Sequence, residues 1–181
     1  MRYAIFALCL ASPTLAETCP EAPDHSEALA ALIAAVQNAP NEMEARRISN
    51  DMWKFWADAP DSYAQELLDE GMSRRESYDY AGAAKALDAL VDYCPDYAEG
   101  YNQRAFVNFL RQDYRAALPD LERAIELSPR HIAALTGQAL TLAALDRTGE
   151  AALVLRAALA LNPWLSERHL LTVLEKVEEE L

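Results

Sequence analysis

The chain is poor in the residues from which most catalytic and cofactor motifs are built. It has five glycines, three cysteines and three histidines among 181 residues. The sequence contains no glycine-rich phosphate loop, no nucleophile elbow, no zinc-type cysteine cluster and no Cys-x-x-Cys motif. His25, His131 and His169 lack the i, i+4 spacing that places two ligands on one metal ion. The sequence therefore predicts no enzymatic activity, no cofactor and no metal site.

Positive charge is also scarce. The chain has 16 Lys and Arg residues and 29 Asp and Glu residues, which gives a formal net charge of −13. A chain this acidic repels phosphate backbones and anionic lipid surfaces. We therefore expect no nucleic-acid partner and no electrostatic docking on membranes, whereas a basic partner is permitted by charge but not implied.

Long apolar runs are missing as well. The apolar run at residues 3–11 is too short to span a bilayer. It follows Arg2 and precedes a small-residue cleavage pattern at residues 14–16, an arrangement typical of an export signal. The alternative, a buried helix, is disfavoured because Ser12 and Pro13 break the run. We expect a signal peptide at residues 1–16 cleaved after Ala16, no membrane insertion after cleavage, and a periplasmic or secreted product.

Cleavage would leave two cysteines, Cys19 and Cys94, in a compartment that permits disulfides. A bond between them would tie the N-terminal tail to the end of a predicted helix and close a long loop, which stabilises the folded state. The alternative is a pair of free thiols, one buried and one in a mobile tail. The sequence leaves both open, with pairing slightly favoured.

What the chain does have is internal repetition. Pro95, Pro129 and Pro163 are spaced at equal intervals of 34 residues, and other positions repeat with the same step. Two columns of the repeat hold small residues and a third holds leucine. These columns are Gly71, Ala105 and Ala139; Ala83, Ala117 and Ala151; and Leu87, Leu121 and Leu155.

This period, with small residues where two helices cross and proline closing each unit, resembles the tetratricopeptide repeat (TPR) family. The resemblance implies an all-α fold, a right-handed α-α superhelix in which stacked helix pairs bury a continuous core. The repeats would be residues 64–97, 98–131 and 132–165. Residues 17–63 would form a tail and a degenerate helical hairpin that caps the stack, and residues 166–181 a C-terminal capping helix. A dimerisation strip is the weaker alternative for the last helix.

Local signals predict where the helices begin and break. Polar breaks inside the repeats stand at residues 77–79, 112–113 and 146–149. Asn41 with Glu44 is a capping pair for the second helix of the N-terminal hairpin. Further helix starts are predicted by a capping box at Asp96 and Glu99 and by an N-cap followed by proline at Ser128-Pro129 and Asn162-Pro163.

The TPR resemblance further implies a concave groove, lined by the first helix of each repeat, that binds a peptide or helix. Of the Lys/Asn/Arg set with which chaperone-binding relatives grip a C-terminal carboxylate, only Asn102 is matched. The groove therefore suits an apolar or amphipathic segment better than an acidic tail. Alternatively, these side chains pack against neighbouring helices, or the protein's own tail occupies the groove. The inward positions are Gln65, Leu68, Met72, Arg75, Glu99, Asn102, Phe106, Phe109, Ala133, Thr136 and Leu140.

Together these features predict an exported, non-enzymatic protein-interaction module whose partner is another protein or peptide. One alternative is a self-assembling scaffold of the cell envelope, so the oligomeric state stays open between a monomer and an assembly. A less favoured alternative is an enzyme with an unrecognised site near His25 or the Trp53 face. Trp53 and Trp56 are three residues apart on a predicted helix, a spacing more typical of core than of a ligand-stacking platform.

Overall fold

The computed structural model describes the backbone of residues 18–179 and the side chains of residues 18–176. This part of the chain forms nine α-helices and no β-strand. The helices are α1 (Ser26–Gln37), α2 (Glu42–Trp56), α3 (Ser62–Glu76), α4 (Tyr80–Tyr93), α5 (Ala98–Leu110), α6 (Tyr114–Leu127), α7 (Ile132–Ala144), α8 (Thr148–Leu161) and α9 (Arg168–Glu179).

The expected signal peptide, residues 1–16, lies outside the described residues. Within the described range, none of the helices has both the length and the apolar character needed to cross a membrane.

The middle of the chain is a stack of three helix pairs. Helices α3 and α4, α5 and α6, and α7 and α8 pack as pairs, and each pair contacts the next through α4 with α5 and α6 with α7. In addition, α3 contacts α5 and α5 contacts α7, so these first helices form the inner layer of the stack. The predicted all-α solenoid is confirmed.

The small-residue columns lie where the helices of a pair cross. Ala83, Ala117 and Ala151 are completely buried. A Cβ atom added to Gly71 would lie 2.6 Å from Cγ of Leu87, which leaves no room for a larger residue without a shift of that leucine. Because close-packed interiors tolerate little added volume, these columns fix the distance between the paired helices.

Each repeat reverses direction through the same turn. Tyr78, Gln112 and Asp146 have φ angles of 63°, 63° and 60°, the left-handed conformation that commonly follows a helix C-terminus. In the first repeat, the N–H of Asp79 donates to the carbonyl of Arg74, and equivalent bonds close the other two turns. These Schellman-type turns stand at the predicted breaks and make the two helices of each pair antiparallel.

The predicted starts of the next helices are wrong in detail. Ser128 and Asn162 are C-caps of the preceding helices, and α7 and α9 begin at Ile132 and Arg168. Pro129 occupies the second position of a tight turn in which the N–H of His131 donates to the carbonyl of Ser128. Proline fits this turn position as well as the first turn of a helix, so sequence did not separate the two.

The capping box predicted at Asp96 and Glu99 also fails. The helix begins at Ala98, and its N-cap, Tyr97, makes no side-chain cap bond. The carboxylate of Glu99 is instead buried and bound by side chains of the inner layer. A buried carboxylate takes the strongest available donors, which here come from tertiary contacts.

The N-terminal hairpin, α1 and α2, does not stack on the first repeat as an extra layer. The Asn41 side chain accepts a hydrogen bond from the N–H of Glu44, as predicted. The apolar face of the hairpin, however, packs with residues at the start of α7, at the end of α8 and in the connection from α8 to α9, namely Ile132, Leu161, Trp164 and Leu165. Gln37 Nε2 also donates to the carbonyl of Ala160 at 2.7 Å. The cap expectation is therefore corrected: the hairpin runs beside the stack and reaches its far end.

Helix α9 covers the apolar end of the last repeat. Leu174 is buried against Leu142, Ala152 and Leu155 of the last repeat. Arg156 on α8 pairs with Glu175 on α9 at 2.8 Å. This placement is that of a terminal helix that shields the last repeat from water.

Candidate functional site

The N-terminal segment is fastened to the first repeat. Cys19 and Cys94 form a disulfide bond that links residues 75 positions apart. Cys94 is buried in the core of the first repeat beside Leu90, and Ala22 packs against the same cluster. The segment before α1 therefore lies along the ends of the repeat helices.

Part of the predicted groove is used by the chain itself. Gln65 accepts a hydrogen bond from the N–H of Ala59 at 3.1 Å, and Leu68 is completely buried in the core that includes Ala59 and Ala64. Both side chains thus contact the linker between α2 and α3. Leu68 is therefore closed to a partner, whereas Gln65 is half-buried.

Glu99 and Asn102 are also engaged internally. His131 Nδ1 accepts from the N–H of Ala134, so the neutral ring carries its proton on Nε2 and donates it to Glu99, 2.8 Å away. Asn102 and Gln103 donate to the same carboxylate. The side chains of Glu99, Asn102, Gln103 and His131 are all buried polar groups. Because buried polar groups need hydrogen-bond partners, their network is a structural element of the inner layer.

The end of α2 covers this network. The Trp56 ring stacks on His131, with ring centroids 4.4 Å apart and planes 13° from parallel. The hydroxyl of Tyr97 donates to the carbonyl of Trp56 at 2.8 Å, and burial raises the pKa of that hydroxyl above its ordinary value. The indole Nε1 of Trp56 is buried and has no hydrogen-bond partner among the described residues.

The inner face is open farther along the helices, around Phe106. This side chain is 44% exposed, and the guanidinium carbon of Arg75 lies 4.9 Å from its ring centroid. Arg75 also donates to Gln103, and burial lowers the pKa of Arg75. Phe109 rests edge-on against Tyr114, at 5.2 Å between centroids. An aromatic surface flanked by a cation is thus available for contact.

The remaining predicted positions are half-buried. Met72 packs against the core of the first repeat, and the Thr136 hydroxyl donates to the carbonyl of Ile132 in its own helix. Ala133 and Leu140 keep part of their surface in solvent. The structure therefore divides the predicted groove into a covered part, with Leu68, Glu99 and Asn102, and an open part, with Gln65, Met72, Arg75, Phe106, Phe109, Ala133, Thr136 and Leu140.

A second concavity, a cleft of about 1220 Å³, lies between residues 18–26 and the turns that join successive repeats, beside His25, the residue at which the sequence suggested only a less favoured alternative site. Its lining includes His25, Trp56, Tyr97 and His131. His25 Nε2 lies 2.7 Å from Oδ2 of Asp58. Apart from His25, no sequence pattern indicated this cleft, because its walls come from distant parts of the chain. No group of three or more His, Cys, Asp or Glu residues in the described range is arranged to hold a metal ion.

Comparisons with known proteins agree on the architecture. No protein-family model matches the chain. A TPR repeat-containing protein of Rhizobium etli is 32% identical over 114 residues, which are 63% of this chain and 54% of that protein. The chain thus spans about half the length of this curated relative.

Two solved structures have the same fold. The complex of the TPR2B domain of yeast Sti1 with pHsp70 matches with a TM-score of 0.59 at 24% identity, over 67% of this chain and 100% of that one. The first TPR domain of Spaghetti (RPAP3), bound to the HSP90 peptide SRMEEVD, matches with a TM-score of 0.63 at 20% identity. That match covers 64% of this chain and 93% of the other. At these identities the matches establish the fold.

Proposed function

We propose that this chain, which belongs to the tetratricopeptide-repeat proteins, is a non-enzymatic module that binds a peptide or helical segment of another protein. The binding surface is the open part of the inner face. Repeat solenoids present such surfaces because their stacked inner helices form a continuous concave face.

The exposure of Phe106 carries the proposal. A large aromatic side chain that is 44% exposed beside a half-buried arginine combines two residue types that are enriched at protein interfaces. Arg75 is already partly desolvated by burial. A partner that covers Arg75 and Phe106 therefore removes little further hydration from the guanidinium. An apolar or amphipathic segment would bury the ring.

The relatives support a peptide partner but not the same peptide. The matched domains of Sti1 and RPAP3 are in complex with pHsp70 and with an HSP90 peptide. In this chain, Asn102 is the one residue that matches the carboxylate-gripping set, and its side chain is buried in an internal network with Glu99. An acidic tail therefore lacks this donor, which supports the apolar or amphipathic alternative.

We place the protein in the periplasm or outside the cell. The export-signal pattern at residues 1–16 supports this location. The disulfide between Cys19 and Cys94 is consistent with it, because such bonds persist in oxidising compartments.

The test compares two matched substitutions. Phe106→Glu introduces a charge into the open inner face, and Leu153→Glu introduces the same charge at a 66% exposed leucine of α8, in the outer layer. Pulldown from cell-envelope extract with each variant should lose the specific partner only with Phe106→Glu. Circular dichroism melts should show both variants folded. Retention of every partner by folded Phe106→Glu would refute the assignment of the inner face.

A further inference from the structure

The cleft beside residues 18–26 differs in character from the inner face. Its lining includes six carboxylates, those of Glu21, Asp24, Asp58, Asp92, Asp96 and Glu99. A single guanidinium, that of Arg130, accompanies them, together with His25 and His131. The volume of about 1220 Å³ is large enough to hold several residues of an extended peptide.

Some of these carboxylates are already bound by a side chain of the fold and others are not. Glu99 is bound by His131, and Asp96 pairs with Arg123 at 3.0 Å. Glu21 and Asp92 are exposed and form no ion pair or hydrogen bond with any described residue. Negative charge at the mouth of the cleft is therefore uncompensated, which raises the local concentration of cations.

The partial charges of the helix ends do not cancel the negative potential of the cleft. Three helices begin at the cleft, α1, α5 and α7, and three end there, α2, α4 and α6. Helix N-termini carry partial positive charge and C-termini partial negative charge of similar size. Their contributions oppose each other in equal number, so the carboxylates determine the sign of the potential.

The walls of the cleft are aromatic. Phe55, Trp56, Tyr93 and Tyr97 line it, and His25 lies against Phe55 with ring centroids 4.9 Å apart. Aromatic faces attract ammonium and guanidinium groups, and they pack well against the aliphatic parts of lysine and arginine side chains. Carboxylates at the mouth with aromatic walls behind them form a surface complementary to such side chains.

Trp56 adds an unmet hydrogen bond. Its indole Nε1 is a buried donor without an acceptor among the described residues, and Trp56 is one of the residues that line the cleft. A buried polar group without a partner is costly. The carbonyl group of a bound peptide would supply the missing acceptor, whereas a simple amine would not.

We propose that this cleft is a second binding site, which takes a lysine- or arginine-containing peptide segment. The cations of the segment meet Glu21 and Asp92, and a main-chain carbonyl accepts from Trp56. This site does not depend on the inner-face proposal, because none of its contacts involves Phe106 or Arg75.

The first experiment uses a fluorescein-labelled, C-amidated hexapeptide of alternating glycine and lysine as the probe, followed by fluorescence anisotropy on the full chain. We expect saturable binding that weakens as salt rises from 50 to 300 mM, because exposed charges are screened. A peptide with glutamine in place of each lysine should not bind. Absence of saturable binding by the lysine peptide at low salt would overturn the proposal.

The second experiment maps the site with matched charge changes. Glu21→Gln with Asp92→Asn should weaken binding about tenfold, since each exposed ion pair contributes roughly 0.7 kcal/mol. Glu66→Gln with Glu122→Gln changes the total charge equally at exposed residues outside the cleft and should have no effect. Equal weakening by both double variants would show non-specific attraction to an acidic protein and would refute the site.

Two further arms identify the ligand class and separate the two surfaces. Trp56→Phe keeps an aromatic ring and removes the donor, so affinity should fall about fivefold without loss of the folding transition. Spermidine carries the cations without a carbonyl and should compete at least tenfold more weakly than the unlabelled peptide. Equal competition would assign the cleft to polyamines and overturn the peptide assignment.

Phe106→Glu should leave the affinity for the probe unchanged. A loss of affinity in this variant would mean that the probe binds the inner face.

Discussion

The ring of Trp56 lies on the ring of His131, 4.4 Å away and nearly parallel, although Trp56 ends the N-terminal hairpin and His131 is the N-cap of α7. His131 in turn donates to Glu99 of the second repeat. This chain of contacts joins three parts of the sequence through a single imidazole. It also places the end of α2 over the inner helices, which restricts the open inner face to the region around Phe106.

Removal of the imidazole should be costly. His131→Ala deletes a completely buried partner and leaves the buried Glu99 carboxylate with fewer donors. Loss of a donor to a buried carboxylate, together with the cavity that the missing ring leaves, typically costs about 3 kcal/mol or more. Urea denaturation should show a decrease of that size in the free energy of unfolding. His169→Ala, at an exposed histidine of α9, is the control and should unfold close to wild type. A His131→Ala transition at the wild-type midpoint would contradict the role of this network.

The disulfide should stabilise the fold through the unfolded state. A crosslink that closes a loop across 75 positions reduces unfolded-chain entropy by about 4 kcal/mol in the loop-entropy model. Cys19→Ser should therefore lower the free energy of unfolding by about that amount under oxidising conditions. In excess reductant, wild type and Cys19→Ser should unfold alike. A difference that persists in reductant would show that the serine, and not the missing crosslink, is responsible.

Low pH should weaken the contact between the α2–α3 linker and the first repeat. The Asp61 carboxylate accepts from the N–H of Ala64 at 2.8 Å and from the hydroxyl of Tyr93 at 2.7 Å. These bonds hold the pKa of Asp61 below its ordinary value of 3.8. Since the folded-state pKa is depressed, the stabilisation is present above the unfolded-state pKa and is lost as pH falls through the folded-state pKa.

The corresponding measurement is a series of urea denaturations between pH 6 and pH 2.5 on wild type and Asp61→Asn. Asparagine can still accept the cap bond but has no carboxylate to protonate. The variant should lose less stability than wild type between pH 4 and pH 2.5. Identical pH dependence of the two proteins would show that Asp61 contributes no acid sensitivity.

Three of the predicted inner-face residues are covered for reasons of topology. Leu68, Glu99 and Asn102 occupy the inner helices as the repeat pattern predicts, yet they are buried because the linker and the end of α2 cover them. Repeat periodicity assigns a residue to a helix face, but it carries no information about another segment that lies on that face. Phe106 stays exposed because the contacts of the hairpin lie at the starts of α5 and α7.

The sequence by itself determined the repeat architecture. The spacing of the small residues around Ala83, Ala117 and Ala151 requires helix pairs in close contact, since local helix periodicity and side-chain volume are sufficient to specify that packing. Tertiary structure alone decided where the hairpin lies, because the apolar face with Ile33, Val36 and Ile48 would bury equally well against any exposed end of the stack. The choice depends on long-range contacts such as the stack of Trp56 on His131, and no local pattern encodes those contacts.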